Sequence, residues 1–106
     1  MIINIAKDYT KTPGGRFVRD GKFSGEDFRE KILKPKFEEC KKNNDILTVN
    51  LDGGYGYGSS FLEEAFGGLV RQSEDKDIIK IEIVSDEEPK LVEDIKGYIL
   101  DALKKL

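Results

Sequence analysis

The stretch LDGGYGYGSSFLEEAFGGL, residues 51–69, joins a β-rich run to a helical pattern through a glycine-rich loop. The run at residues 46–51 predicts a strand, and the apolar residues from Phe61 onward recur at helical spacing. Ser59 and Ser60 stand at the start of the predicted helix. A helix N-terminus offers free backbone amides and the positive end of a dipole. This stretch is therefore the candidate site for an anion, a phosphate or a partner.

The patterns on either side of this stretch predict an α/β fold. We expect further strands at residues 2–6, 16–19 and 78–84, and further helices that begin at Ser24 and near Pro89. A polar linker at residues 72–77 precedes the last strand. Right-handed crossovers then give a mixed, mainly parallel sheet of about four strands, with about three helices packed against it. Residues 1–106 form one domain.

Three local features of the predicted helices lead to specific expectations. Pro35 removes a backbone donor, so the first long helix should kink or restart near Lys34. Ser60 and Glu63 have the spacing of a capping box. Gly67 and Gly68 each cost about 1 kcal/mol against alanine in a helix, which indicates close approach of a neighbouring element, either inside the domain or on a partner.

Composition excludes several classes of protein. The chain has 106 residues, a net charge of -3, no histidine and one cysteine, Cys40, so histidine-dependent triads and intramolecular disulfides are excluded. Acidic and basic residues are intermixed, which does not favour nucleic acid, and no apolar run is long enough to span a membrane. The N-terminus lacks a basic signal region, so we expect a cytoplasmic protein.

Cys40 lies on an apolar helix side and is interpreted as a buried small hydrophobe. Arg16 and Arg19 are interpreted either as solvated side chains or as contacts for a partner or a phosphate.

The glycine loop only partly matches the nucleotide-binding motifs. Gly53 and Gly58 have P-loop spacing and Ser60 stands at the magnesium-binding position, but Ser59 replaces the lysine that reaches the phosphates. A dinucleotide loop would need a third glycine where Ser59 stands. An NTPase and a Rossmann-type site are therefore disfavoured.

Three interpretations of the loop remain open. Asp52, with Asp86 or Glu87, could bind Mg²⁺, although acidic residues at strand ends are usually loop caps. Ser59 or Ser60 could be a modifiable hydroxyl, since a phosphate at a helix N-terminus is electrostatically favourable. The serines could also be simple caps, with the glycines only allowing a tight turn. We favour no metal and no cofactor.

Two sets of residues resemble the STAS-like family of small prokaryotic domains. The first covers residues 51–53 and 56–71, and the second covers upstream stretches between residues 13 and 36. The resemblance implies a STAS-like α/β fold. A more distant similarity, at residues 58–61, is to the anti-sigma factor antagonists, whose first serine is phosphorylated by a kinase of the GHKL ATPase type. This similarity implies Ser59 as the acceptor, although Gly58 replaces the antagonists' aspartate and Phe61 their glycine.

We therefore predict a non-enzymatic protein-binding, partner-switching module, with a GHKL-type ATPase or kinase as the protein partner. Ser59 and Ser60 are the candidate phosphoacceptors, and Tyr55 and Tyr57 are the expected exposed anchors. The alternative is a small-ligand or nucleotide-binding domain that uses the same loop. The full partner-binding or anion-binding loop comprises Asp52, Gly54, Tyr55, Gly56, Tyr57 and Gly58.

Overall fold

The computed structural model describes residues 1–73 and 81–106. These residues contain three strands: β1 (Ile2–Asn4), β2 (Thr48–Asn50) and β3 (Glu82–Val84). They also contain four helices: α1 (Ile5–Asp8), α2 (residues 25–42), α3 (residues 59–73) and α4 (Lys90–Lys104). The architecture is α/β, which confirms the predicted class.

The three described strands form one parallel sheet in the order β1-β2-β3. Ile3, Val49 and Ile83 lie side by side in this sheet, and Ile3 and Val49 are fully buried. The residues before and after these in each strand point to the opposite face of the sheet, which is more exposed to solvent. Ile2 on that face is 71% exposed. Because the strands are parallel, their carboxyl ends meet at one edge of the sheet. The loops that follow β2 and β3 therefore lie close together.

The prediction of about four strands in a mixed sheet is wrong, because residues 16–19 do not form a strand. Residues 16 and 17 precede a short 3-10 helical turn, Val18–Asp20, which includes the other two. The Phe17 amide donates to Oδ2 of Asp20 at 3.0 Å, and the Val18 amide donates to Oε1 of Glu26 at 2.9 Å. Side-chain carboxylates thus satisfy the amides that a neighbouring strand would otherwise have bonded.

The bounds of the first and last strands also differ from the prediction. The chain turns into α1 at Ile5, because Oδ1 of Asn4 accepts a hydrogen bond from the Lys7 amide at 3.0 Å and caps that helix. In the predicted strand at residues 78–84, residues 82–84 form β3, and residues 78–80 lie outside the described residues. Most of the predicted polar linker, residues 74–77, also lies outside them.

Helix α2 begins and restarts where the sequence predicts. The Ser24 hydroxyl accepts a hydrogen bond from the Asp27 amide at 3.0 Å, which confirms the N-cap. The helix has a π-helical turn at Arg29–Leu33 and returns to α-helical hydrogen bonding at Lys34, one residue before Pro35. A π-turn accommodates the hydrogen bond that proline cannot make.

The core lies between the sheet and the three long helices. Phe28 of α2 stacks on Phe61 of α3 with ring centroids 5.9 Å apart, and both side chains are fully buried. Gly25 allows this approach, because a Cβ at its position would collide with the carbonyl oxygen of Phe61. The start of α3 is therefore held firmly against the start of α2.

Helix α4 is amphipathic. Its buried residues are Ile95, Ile99 and Ala102, and the helix packs on α3. No helix within residues 1–73 and 81–106 is both long and apolar enough to cross a membrane.

Candidate functional site

The glycine-rich loop, residues 51–58, leaves the carboxyl end of the central strand β2 and leads into α3. Gly53 and Gly56 have φ values of 95° and 135°, a region that residues with a side chain rarely adopt. These two glycines let the chain turn back on itself between β2 and α3. The loop occupies the sheet edge where ligands bind in open α/β folds.

Asp52 ties this loop to the loop that follows β3. Its Oδ1 accepts the Glu87 amide at 3.0 Å, and its Oδ2 accepts the Asp86 amide at 3.2 Å. In return, the Gly53 amide donates to Oε1 of Glu87 at 2.6 Å. Asp52 is therefore a loop cap, and these reciprocal bonds give the loop a defined conformation.

Tyr57 closes the other end of the loop. Its hydroxyl donates to the carbonyl oxygen of Leu51 at 2.9 Å, and its ring lies 6.1 Å from that of Phe61. Burial of the ring, with the negative charges of Asp52 and Glu87, raises the pKa of Tyr57 to about 12. The expectation that Tyr57 is an exposed anchor is wrong, because the ring is partly buried and holds the loop together.

Tyr55 is the exposed aromatic residue of the loop. Its side chain is 81% exposed, and its amide donates to the carbonyl oxygen of Lys11 at 2.8 Å. Gly54 and Gly56 flank it, and Gly54 lies against the Tyr57 hydroxyl, which a Cβ would approach to 3.1 Å. The backbone of Tyr55 is thus fixed while its ring faces solvent.

Ser59 and Ser60 are the first two residues of α3, and both are exposed. Gly58 is the N-cap residue, with extended backbone and no side chain to bond the first amides. Within the part of the chain that the structure describes, neither serine hydroxyl has a hydrogen-bond partner. The first turn of α3 therefore presents two accessible hydroxyls beside uncapped amides.

The predicted capping box between Ser60 and Glu63 is wrong. Ser60 already lies inside the helix, and Glu63 turns away from the helix start towards two arginines. Its Oε1 lies 2.6 Å from Nη1 of Arg16, and its Oε2 lies 2.7 Å from Nη1 of Arg71. The hydrogen bonds from Arg71 and Arg16 lower the pKa of the Glu63 carboxyl.

A buried ion pair between α2 and α3 extends this network, and the sequence analysis did not identify it. Nη1 of Arg29 lies 2.5 Å from Oε2 of Glu64 and also donates to the Glu64 carbonyl oxygen at 2.8 Å. Arg16 reaches the other oxygen of Glu64 at 3.2 Å. Arg29 and Glu64 each lie in a π-helical turn, a conformation that is frequently found at functional sites.

Gly67 and Gly68 were the sequence signal for this network. A Cβ at Gly68 would collide with Nη1 of Arg29, and one at Gly67 would collide with Oε2 of Glu63. The predicted close approach of a neighbouring element is therefore confirmed at Gly68, where the neighbour is Arg29 of α2, whereas the neighbour of Gly67 is Glu63 of α3 itself.

The loop borders a pocket of about 230 Å³ with an acidic wall. Asp52, Glu87 and Glu88 contribute the carboxylates, and among residues 1–73 and 81–106 no lysine or arginine lines it. The amides of Gly53 and Tyr55 are already bonded to protein oxygens. A phosphate would meet negative charge here, so the pocket does not favour a nucleotide.

The structure also places the remaining chemical groups. In residues 1–73 and 81–106, no three carboxylate or thiol side chains are grouped to hold a metal ion. Cys40 is 2% exposed, and burial raises the pKa of its thiol. A buried thiol of this kind packs as a small hydrophobe, as predicted.

Comparison with known proteins gives one match. The model of the family described as "STAS-like domain of unknown function (DUF4325)" matches residues 24–91, which include α2, β2, the glycine-rich loop, α3 and β3. No curated protein and no solved structure matches significantly.

Proposed function

Because the chain belongs to the STAS-like domain family, we propose that it is a non-enzymatic protein-binding module with a regulatory role. Its binding face comprises residues 52–60, and Ser59 is its phosphorylation switch. The observation that carries this proposal is that Tyr55 and Ser59, four residues apart in the chain, are both exposed, Tyr55 to 81%.

The geometry supports protein binding over nucleotide binding. The Tyr55 backbone is already held by a hydrogen bond to Lys11, and its ring projects into solvent. A partner can therefore bury the ring without the entropic cost of ordering the loop. A nucleotide would instead have to place its phosphates near Asp52, Glu87 and Glu88. We therefore favour a protein partner, and a GHKL-type ATPase is the class that we propose.

Ser59 is suited to phosphorylation by its position at the first residue of α3. A partner kinase would transfer the γ-phosphoryl group of ATP to Oγ of Ser59, releasing ADP, while a base on the kinase takes the hydroxyl proton. The product would meet uncapped amides and the positive end of the helix dipole, so the helix tolerates it. It would add up to about two negative charges to the binding face.

The test is capture of the tagged protein from its native host with phosphatases inhibited, followed by mass spectrometry of bait and prey. We expect an ATPase-fold partner in the bound fraction and phosphate on Ser59 in the unbound fraction. The affinity of that partner is then measured for Ser59→Asp, with Ser59→Ala as the uncharged control and Ser60→Asp as the test of the second candidate phosphoacceptor.

Ser59→Asp should weaken partner binding by about tenfold or more, which corresponds to about 1.4 kcal/mol. Its free energy of unfolding should stay within about 0.5 kcal/mol of wild type, as for other surface changes. Equal affinities for the Asp and Ala variants would remove the switch. A stable partner with no phosphate on Ser59 in either the bound or the unbound fraction would leave only the binding module.

A further inference from the structure

The pocket beside the glycine-rich loop, which we call the acidic pocket, has aromatic as well as charged walls. It lies between that loop and the loop that leads from β3 into α4, and its volume is about 230 Å³. The uncharged part of its lining includes two aromatic and two aliphatic side chains: Leu51, Tyr55, Tyr57 and Leu91. The ring of Tyr55 is 81% exposed, so this wall is accessible from solvent.

The charged wall of the acidic pocket keeps its negative charge. Asp52, Glu87 and Glu88 line the pocket, and Asp86 precedes them in the same loop as the two glutamates. The backbone amides that bond Asp52 and Glu87 are uncharged, so they leave both carboxylates negative. Within residues 1–73 and 81–106, no lysine or arginine forms an ion pair with any of these four side chains. Burial of its ring and the charges of Asp52 and Glu87 raise the pKa of Tyr57 to about 12, which shows that the negative potential reaches the pocket.

The negative excess remains when the lysines of the adjoining segments are counted. Lys11 is near the loop, because its carbonyl oxygen accepts the Tyr55 amide, and Lys90 begins α4. Neither lysine lines the acidic pocket, and set against the four carboxylates they leave two negative charges in excess. Lys7 of α1 lines a separate cavity beside β1.

The guanidinium group of an arginine matches both kinds of wall. It is planar, stacks on aromatic faces and offers several donors to carboxylates. A lysine ammonium is more strongly hydrated, so it gains less from an aromatic wall. A metal ion is not favoured, because the described part of the chain groups no three side chains that would hold one. Arginine and tyrosine are also the residues most enriched at the hot spots of protein interfaces.

We propose that an arginine side chain of the protein partner enters the acidic pocket, where its guanidinium contacts Tyr55 and pairs with Glu87 and Glu88. This inference rests on the proposed function, since it names the chemistry of the partner and extends the binding face to the loop after β3. Ser59 does not line the pocket, so a phosphate on Ser59 acts on a different part of the partner.

The test uses a defined probe, the peptide acetyl-Ala-Arg-Ala-amide, titrated into the unphosphorylated ¹⁵N-labelled protein. A matched peptide carries citrulline in place of arginine, which keeps the shape and removes the charge. We expect amide shifts in the lining of the pocket, at Gly54, Tyr55, Gly56 and Ser85. The citrulline peptide should bind at least about fivefold more weakly, because the ion pairs are lost. The corresponding lysine peptide, which has the same charge as the arginine peptide, should also bind more weakly.

Two variants with the same change in charge separate the acidic pocket from the rest of the negatively charged chain. Glu87→Gln/Glu88→Gln should weaken binding of the arginine peptide at least about fivefold. Glutamine at position 87 keeps an oxygen that accepts the Gly53 amide, so the loop stays in place. Glu38→Gln/Glu39→Gln, on α2, should leave the affinity within about twofold of wild type, because exposed distant charges are screened.

The aromatic wall is tested by Tyr55→Ala, which should weaken binding of both the arginine and the citrulline peptide. Equal affinity for those two peptides, equal losses in the two double variants, shifts confined to other residues, or no shift at millimolar peptide would overturn the proposal. None of these measurements involves a phosphate or the captured partner. A failure here is therefore distinguishable from a failure of the proposed switch.

Discussion

Replacing Gly68 by alanine in α3 should destabilise the protein, although alanine is usually the better helix residue. A Cβ at position 68 would collide with Nη1 of Arg29 and lie 3.2 Å from Oε2 of Glu64. Arg29 cannot swing aside easily, because its side chain is 5% exposed and bonds both the carboxylate and the carbonyl of Glu64. The methyl group must therefore displace the guanidinium or separate α3 from α2.

The expected magnitude follows from two opposing contributions. In an unobstructed helix, replacing glycine by alanine raises the free energy of unfolding by about 1 kcal/mol. Disrupting a buried ion pair from one side costs about 3–5 kcal/mol. Gly68→Ala should therefore lower the free energy of unfolding by about 2–4 kcal/mol. For a domain of this size, that loss lowers the melting temperature by roughly 10 °C or more.

Urea unfolding of Gly68→Ala, followed by circular dichroism, measures this loss. Gly97→Ala is the matched control, because a Cβ at Gly97 in α4 would meet nothing within 4 Å. The control should be more stable than wild type by about 0.5–1 kcal/mol. If Gly68→Ala matched this gain, the proposed contact between Gly68 and Arg29 would be refuted.

Two further predictions concern Gly25 and Tyr57. Gly25→Ala should lower the free energy of unfolding by about 1–3 kcal/mol, because its Cβ would collide with the rigid backbone carbonyl of Phe61. A urea midpoint equal to that of wild type would contradict this. When the pH is raised from 10 to 12, the free energy of unfolding of wild type should fall by up to about 2 kcal/mol more than that of Tyr57→Phe. The reason is that the unfolded phenol ionises near pH 10, whereas the folded one has a pKa of about 12. Parallel pH profiles of unfolding for the two proteins would rule out this linkage.

The parts of the fold that could be predicted from the sequence depend on neighbouring residues. The Ser24 cap, the change of hydrogen bonding at Lys34 and the loop from β2 to α3 were all visible as local patterns. The Gly67 and Gly68 pair even showed that something approaches α3 closely. A local pattern carries this information because turns, caps and helix periodicity depend on residues a few positions apart.

The errors concern residues whose side-chain hydrogen bonds compete with the structure that their pattern predicts. Glu63 has capping-box spacing, but Arg16 binds it from 47 residues away. Residues 16–19 have a strand-like pattern, but Glu26 and Asp20 satisfy their amides. Spacing along the chain could not show these competing bonds. The bond from Arg16 forms only when the loop before α2 folds onto α3, and the bonds to Asp20 and Glu26 form only when that loop folds back on itself.

The separate roles of the two loop tyrosines explain how a charge at Ser59 could act without unfolding the domain. Tyr57 is bonded to Leu51 and Asp52 bonds the loop after β3, so the loop keeps its shape independently of any partner. Tyr55 and Ser59 face solvent on this preformed loop and the helix that follows it. A phosphate on Ser59 would therefore change the charge that a partner meets while the loop's bonds stay intact. Partner affinity should respond to Ser59, and stability should respond to Tyr57 and Gly68, so the two kinds of variant separate binding from folding.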